Sequence, residues 1–495
     1  MTPNPRQEST LRPDAALDPA VVRQQCADFS RSRANRVARN AVTSDGIVKA
    51  ARNPVALRAY QDTYAVKLRT ATTVTNQEQS GRCWLFATLN SCRARMLQAL
   101  DVEDFEFSQA YLQFYEKMEW ANAFLVHAVE TAGKPLDDRA VAMLFEGPAD
   151  DGGQWNYGAN LVAKYGLVPK SAMPETACSS NTTAMVEVLN RLLRKDGLEL
   201  RRMVAEGATR GAIDARRAEM MDDVHRMLCV CLAEPPATFD FACEVGPKAT
   251  VDEALLQPIE PTTGPAGTPA PKAKDGEEPE KPAKRLLKDP GLTPQEFAEK
   301  YVKFDLNDYV ELVNYPLDKY PYEQVYGVEM GDRILGGLPM RFLNMPIEAL
   351  EDAAVASLKA GEACYFACDV GQNFPSKLKD YPGTLALDTM DTGDLFDVDL
   401  TMDKAAMLAS QESGMTHAMT LEGVQLGDDG RPVAWRVENS WGKDSGKDGY
   451  LIMSGDWFRL YAADVAVRRE FVSPDALALW DTAPTVMTEP WSIFY

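Results

Sequence analysis

The sequence predicts an α+β protein, helical in its first half and β-rich in its last third. From Cys83 to Leu232 apolar residues recur every three or four positions, the period of helices that bury one face. After about Ala363 the segments CYFACDV, HAMTLEGVQL, VAWRVEN and YLIMS read instead as strands. No run approaches the ~20 apolar residues of a membrane-spanning helix. Helices followed by strands point to a two-lobed body, and lobe interfaces are where clefts form.

The first seventy residues are polar, with helical character over Val21–Arg36 and irregular chain to Val74, and are expected to form an outer segment (1–70). At Cys83 a helix begins whose buried stripe is Leu85, Phe86, Leu89, Cys92, Met96, Leu97 and Leu100. Further helices are expected over Ser108–Thr131, Asp137–Phe145, Asn160–Tyr165 and Thr183–Leu232, completing a helical lobe over 71–235. An inserted region follows over 236–340. Within it, 257–291 carries prolines too closely spaced for helix or ladder and reads as a mobile surface loop. Thr293, Pro294 and Glu296 then supply a cap, a first-turn proline and a capping-box acid for a helix through Val302. The β-rich lobe is placed at 341–480, with GDDG at 427–430 as a hairpin turn, and a C-terminal arm at 481–495.

The 495 residues carry a formal net charge of −21, which argues against nucleic acid or an anionic membrane surface as a general partner. Nine cysteines lie scattered without a repeating frame, so reduced thiols in a reducing compartment are expected. The N-terminus lacks a cationic start followed by an apolar stretch, and a cytoplasmic location is the expectation.

Only three histidines are present. His127, in AFLVHAV, and His225, in DDVHRMLCV, read as structural. His225 and Cys229 have i, i+4 spacing, but two ligands do not make a zinc site, and no metal or other cofactor is assigned. Cys83, in TNQEQSGRCWLFA, differs from the other cysteines because it starts a helix. Free N–H groups and the helix dipole there lower a thiol's pKa toward the nucleophilic thiolate. Gly81 keeps the approach small. Gln77, in the same segment, has a side-chain amide able to donate to a developing oxyanion together with the Cys83 N–H. His417 begins one predicted strand and Asn439 ends the next across the hairpin, so the amide can orient the ring, with Trp441 shielding the contact.

Gln77, Cys83-Trp84, His417 and Asn439-Ser440-Trp441-Gly442, in that chain order, resemble the papain-like cysteine peptidases. The resemblance implies Cys83 as nucleophile, His417 as general base and acid, Asn439 as its orienting residue and Gln77 as the oxyanion donor. It also implies that Gly152 and Gly153, in DGGQW, form a wall whose backbone pairs with substrate. The Cys83-to-His417 stretch far exceeds the about 130–150 residues found in secreted relatives. Together with KYGLVPKSAMPE, ACDVGQ and SGDWF, it is similar to the bleomycin hydrolase/aminopeptidase C family over nearly the whole chain from about Ala65. That family implies a homohexamer acting on peptides with a free N-terminus, with the C-terminal carboxylate, here of Tyr495, anchoring the substrate amine. The tail EPWSIFY is shorter than the family's usual ending and closes on bulky aromatics. An endopeptidase or dipeptidyl-type enzyme with an open cleft, and a non-hydrolytic scaffold keeping the fold, are the alternatives.

Overall fold

The computed structural model describes residues 15–259, 284–375 and 383–494. Its chain divides into two compact units, one formed by residues through Ala59 with Asp388–Thr401, the other by Tyr60–Leu387 with Met402 onward. In the smaller unit the helical stretches expected around Val21–Arg36 are α1 (Pro19–Arg31) and α2 (Arg33–Asp45), the second running on to Asp45 where irregular chain was expected. Ser32 has extended backbone and its hydroxyl accepts from the Asn35 N–H, so it caps α2 and breaks the run. A short helix α3 (Ile47–Ala51) follows, and its end bonds to the returning segment through Asp391 N to the Ala51 carbonyl at 2.7 Å.

The larger unit opens with β1 (Val66–Lys67) and the helices α4 (Cys83–Leu100), α5 (Gln109–Glu130), α6 (Arg139–Glu146) and α7 (Trp155–Tyr165). Ser108 and Asp138 cap α5 and α6, their side chains accepting first-turn N–H groups. After a short α8 (Ala177–Ser180), the expected Thr183–Leu232 helix is split into α9 (Thr183–Ala205) and α10 (Arg210–Leu232). Gly207, at φ +80°, turns the chain, and Thr209 caps the second helix by accepting from the Ala212 N–H.

A three-stranded sheet, β2 (Phe239–Val245), β4 (Arg285–Leu292) and β3 (Leu256–Pro258), follows with β4 in the middle. The edges of the Pro-rich tract are therefore ladder-forming, contrary to expectation. Pro290 sits where the β2–β4 register shifts, and Pro258 ends an edge strand; both are places where a missing N–H leaves no ladder bond unmade. The expected mobile loop otherwise falls at 260–283, outside the described residues. The Thr293–Glu296 capping box forms as expected.

Among the described residues the main sheet has eleven strands: β1, β5 (Tyr309–Val313), β6 (Gln324–Val328), β7 (Phe342–Asn344), β8 (Cys364–Cys368), β9 (Thr384–Leu385), β10 (His417–Leu426), β11 (Pro432–Glu438), β12 (Tyr450–Ser454), β13 (Ala462–Arg468) and β14 (Thr485–Thr488). Its order is β14-β6-β7-β5-β13-β8-β10-β11-β12-β9, with β1 on β10. Strands β5 to β7 thus join the β-rich body, whereas the sequence assigned their residues up to 340 to the insertion. Their apolar runs are buried without alternation, so the period-2 signal of a half-buried strand is missing. The predicted hairpin is present: β10 and β11 pair antiparallel, and the Gly427 N–H bonds to the Arg431 carbonyl at 2.8 Å. Helix α4 lies against β10, where the Thr420 hydroxyl bonds to the Ala87 carbonyl at 3.2 Å. Arg93 of α4 pairs with Glu438 of β11, both buried.

Candidate active site

Cys83 is the first residue of α4, and its position is set by a short loop held from several sides. Arg82, almost fully buried, donates to both Glu175 oxygens at 3.2 and 2.9 Å and to Ser80 Oγ at 2.9 Å. The Gly81 N–H donates to Asp151 Oδ2 at 2.9 Å, and the Gly152 N–H returns to the Gly81 carbonyl at 3.1 Å. Asp151 is in turn paired with the buried Lys117 at 3.0 Å. A Cβ on Gly81 would lie 2.6 Å from the Asp151 Cβ. This glycine therefore makes room for Asp151 and so couples the Cys83 loop to the Gly152-Gly153 segment. Gly152, at φ +105°, has the left-handed backbone that glycine adopts at no steric cost, and a Cβ on Gly153 would lie 2.5 Å from the Trp84 ring.

The antiparallel β10–β11 pair brings the other two predicted residues together. His417 starts β10 and Asn439 follows β11, and His417 Nε2 donates to Asn439 Oδ1 at 2.8 Å. The Ser440 N–H also donates to that oxygen, fixing the amide. Trp441 covers the ring at 4.7 Å between centroids. With Nε2 engaged, Nδ1 is the nitrogen left for sulfur, and the Cys83 thiol and His417 imidazole are hydrogen-bonded.

Burial alone would push the Cys83 thiol up; the adjacent imidazolium, by charge and hydrogen bond, and the N–H groups of Ala418 and Trp84 bring it below its ordinary value. Burial likewise opposes charge on His417, and the thiolate together with Asn439 raises it above the ordinary imidazole value. The geometry thus favours a thiolate–imidazolium pair.

Gln77 is held in place on both sides of its amide. Oε1 accepts from Ser440 Oγ at 2.7 Å, and one Nε2 hydrogen goes to the Ser80 carbonyl at 2.6 Å, leaving the second for a further acceptor. Cys83, His417, Gly152, Gly153 and Gln154 share a cavity of about 450 Å³. The C-terminal arm reaches the same place: Pro490 lines the cavity, and Gln154 Nε2 donates to the Phe494 carbonyl at 2.8 Å. The fully buried Phe494 ring sits among Tyr315, Tyr320, Tyr326 and Phe342. Tyr495, the predicted amine anchor, lies outside the described residues.

Sequence reading missed three contributors. His127, expected to be structural, lines the cavity. Asp151 was seen only as part of the DGGQW motif, yet it organises the loop. Asp464 also lines the cavity, and the signal for it was an acid inside the apolar strand AADVAV.

A thiol at a helix start, an imidazole oriented by an amide, and a helical lobe facing a sheet define a papain-like cysteine peptidase fold. The chain matches the peptidase C1-like family over residues 16–254 and 278–494 and belongs to it. Aminopeptidase C of Streptococcus thermophilus is 35% identical over 94% of this chain and 95% of its own length. Bleomycin hydrolase of Homo sapiens is 38% identical over 84% of each chain. The crystal structure of PepW from Lactobacillus rhamnosis superposes with a TM-score of 0.85 at 36% identity, covering 97% of this chain and 99% of that one. These relatives place the chain among the cysteine-type aminopeptidases. No helix among the described residues is long and apolar enough to cross a membrane.

Proposed function

We propose that the chain removes N-terminal residues from peptides by thiolate acyl transfer, with Cys83, His417 and Asn439 as its catalytic residues. The observation that carries this is the hydrogen-bonded series Cys83–His417–Asn439 at the wall of a cavity. In the first half-reaction the Cys83 thiolate attacks the carbonyl carbon of the N-terminal residue. The second hydrogen of Gln77 Nε2 and the Cys83 N–H hold the oxyanion, and imidazolium His417 gives its proton to the departing amine. His417 then takes a proton from water, which cleaves the thioester and frees the amino acid. Gly152 and Gly153 present backbone groups along the bound chain.

Restriction to the N-terminal residue is supported by the arm, whose Phe494 carbonyl is fastened to Gln154 at the cavity. The same reading includes Tyr495 as a contact for the substrate amine, a cytoplasmic location and a homohexamer, the last checked by light scattering of the purified chain. Amino-acyl arylamides with free and acetylated amines test the function. Free-amine substrates are expected to be cleaved and acetylated ones not; equal cleavage of both would overturn the exopeptidase reading in favour of an open-cleft endopeptidase.

A further inference from the structure

Strands β5, β13, β8 and β10 turn one common face toward the catalytic cavity. Register puts Ala418 opposite Ala367, Ala367 opposite Asp464, and Ala466 opposite both Tyr365 and Glu311, so these side chains share that face. On it Asp464 and Glu311 are diagonal neighbours, each with side-chain oxygens within hydrogen-bonding reach of the other. Both are almost fully buried.

Two carboxylates cannot bond without a proton between them. Apart from each other, Asp464 Oδ1 and Glu311 Oε1 meet no donor among the described residues. Nor does a described basic side chain compensate them: Lys404, whose amine burial lowers to about 7, bonds to Asn314 Oδ1 at 2.7 Å and to the Ala462 carbonyl and interacts with neither acid. A second group points the same way independently. Gln154, nine-tenths buried, donates its Nε2 to Phe494, while its Oε1, an acceptor on a cavity-lining residue, has no partner. Asp464 itself lines the cavity that holds Cys83 and His417. A buried acceptor pair with a missing cation, opening on a cavity, is the chemistry of a site for an ammonium or guanidinium.

We propose that Asp464, backed by Glu311, binds a cationic group of the substrate on the acyl side of the bond that Cys83 attacks. This deepens the aminopeptidase reading and rests on it. When the cation arrives, the proton shared by the pair can leave to solvent, so the bound state carries a paired charge where the empty state holds a neutral or singly ionised pair. The cation has two sources, the α-ammonium of the N-terminal residue or a Lys or Arg side chain on it.

Lys-, Leu- and Nα-acetyl-Lys arylamides, with wild type and Asp464→Asn, separate them. If the side chain is bound, the Lys-to-Leu ratio of kcat/KM falls about tenfold or more in the variant; if the α-ammonium is bound, the free-to-acetylated ratio falls instead. Both ratios unchanged would overturn the proposal. Binding is also read without turnover: n-butylamine is expected to slow iodoacetamide alkylation of Cys83 in wild type and not in Asp464→Asn or Glu311→Gln. Equal slowing, or none, in all three proteins would count against the site. A wild-type protein that shows amine protection but cleaves no arylamide would leave the cation site standing and sink the peptidase reading.

Discussion

Two pairs of buried acids occupy the main sheet, and they differ in what faces them. Glu422 and Glu438, on β10 and β11, meet Arg93 from α4 and Arg436 from β11. Glu311 and Asp464, on β5 and β13, meet no described cation and border a cavity. The first pair is a staple: burial and Glu438 hold Glu422 well above its ordinary value, but two guanidiniums face the pair, and Arg93 ties α4 to the strands next to His417 and Asn439. The second is compensated only by a proton. The same residue type in the same sheet therefore serves structure in one place and is open to ligand in another, according to whether a cation comes with the fold. Cys83 and His417 make a third arrangement, in which the proposed reaction uses both charges of the pair.

The largest effect is expected at that third pair. Cys83→Ala or His417→Ala should lower kcat/KM by about 10⁴-fold or more, read with a free-amine arylamide. Full activity in either would remove the acyl-transfer mechanism. Removing the guanidinium from the staple comes next: Arg93→Ala leaves two carboxyls buried against Arg436 alone and should cost about 3–5 kcal/mol in denaturant unfolding. Loss of a few tenths would mean the two acid pairs do not differ as argued. Gln77→Ala should lower kcat about 10²-fold with little change in KM, since the donor acts on charge that develops only in the transition state.

Asp464→Asn should be neutral or mildly stabilising, because nothing cationic is orphaned by it. The sign of its pH dependence follows from the direction of the shift. Burial raises Asp464 in the folded protein to about 8, above the ordinary 3.8, against the lowering effect of its hydrogen bond with Glu311. Tyr365 on β8 and Tyr315 after β5 face the same charge and are raised by burial first and by that charge second. A raised carboxyl contributes its stability at low pH and loses it as pH rises toward its folded value. Thermal unfolding should therefore show the variant gaining on wild type between pH 4 and pH 8, whereas a gap that is flat or narrows would contradict a proton-sharing pair.

Activity itself should follow a bell. It rises as Cys83 deprotonates, below the ordinary thiol value of 9.0, and falls as His417 deprotonates, above the ordinary imidazole value of 6.5. In His417→Ala the acid limb of Cys83 alkylation should move to higher pH.

The linear sequence determined which residues are proposed to do chemistry, because the candidate side chains are few and sit at local landmarks: a cysteine where a helix starts, a histidine and an asparagine at the two ends of a hairpin with a GDDG turn. Helix periodicity and the capping box at Thr293 were legible for the same reason, being properties of neighbouring residues. The breaks at Ser32 and Gly207 were harder to see, since both flanking runs are helical. Strands β5 to β7 escaped because burial on both faces erases alternation. Only tertiary structure decided that Gly81 makes room for Asp151, that Phe494 enters an aromatic cage, and that Glu311 and Asp464 become neighbours with no cation between them. Those outcomes depend on which strands lie side by side. A residue's charge state is set by what packs against it from distant parts of the chain, and sequence order does not record that.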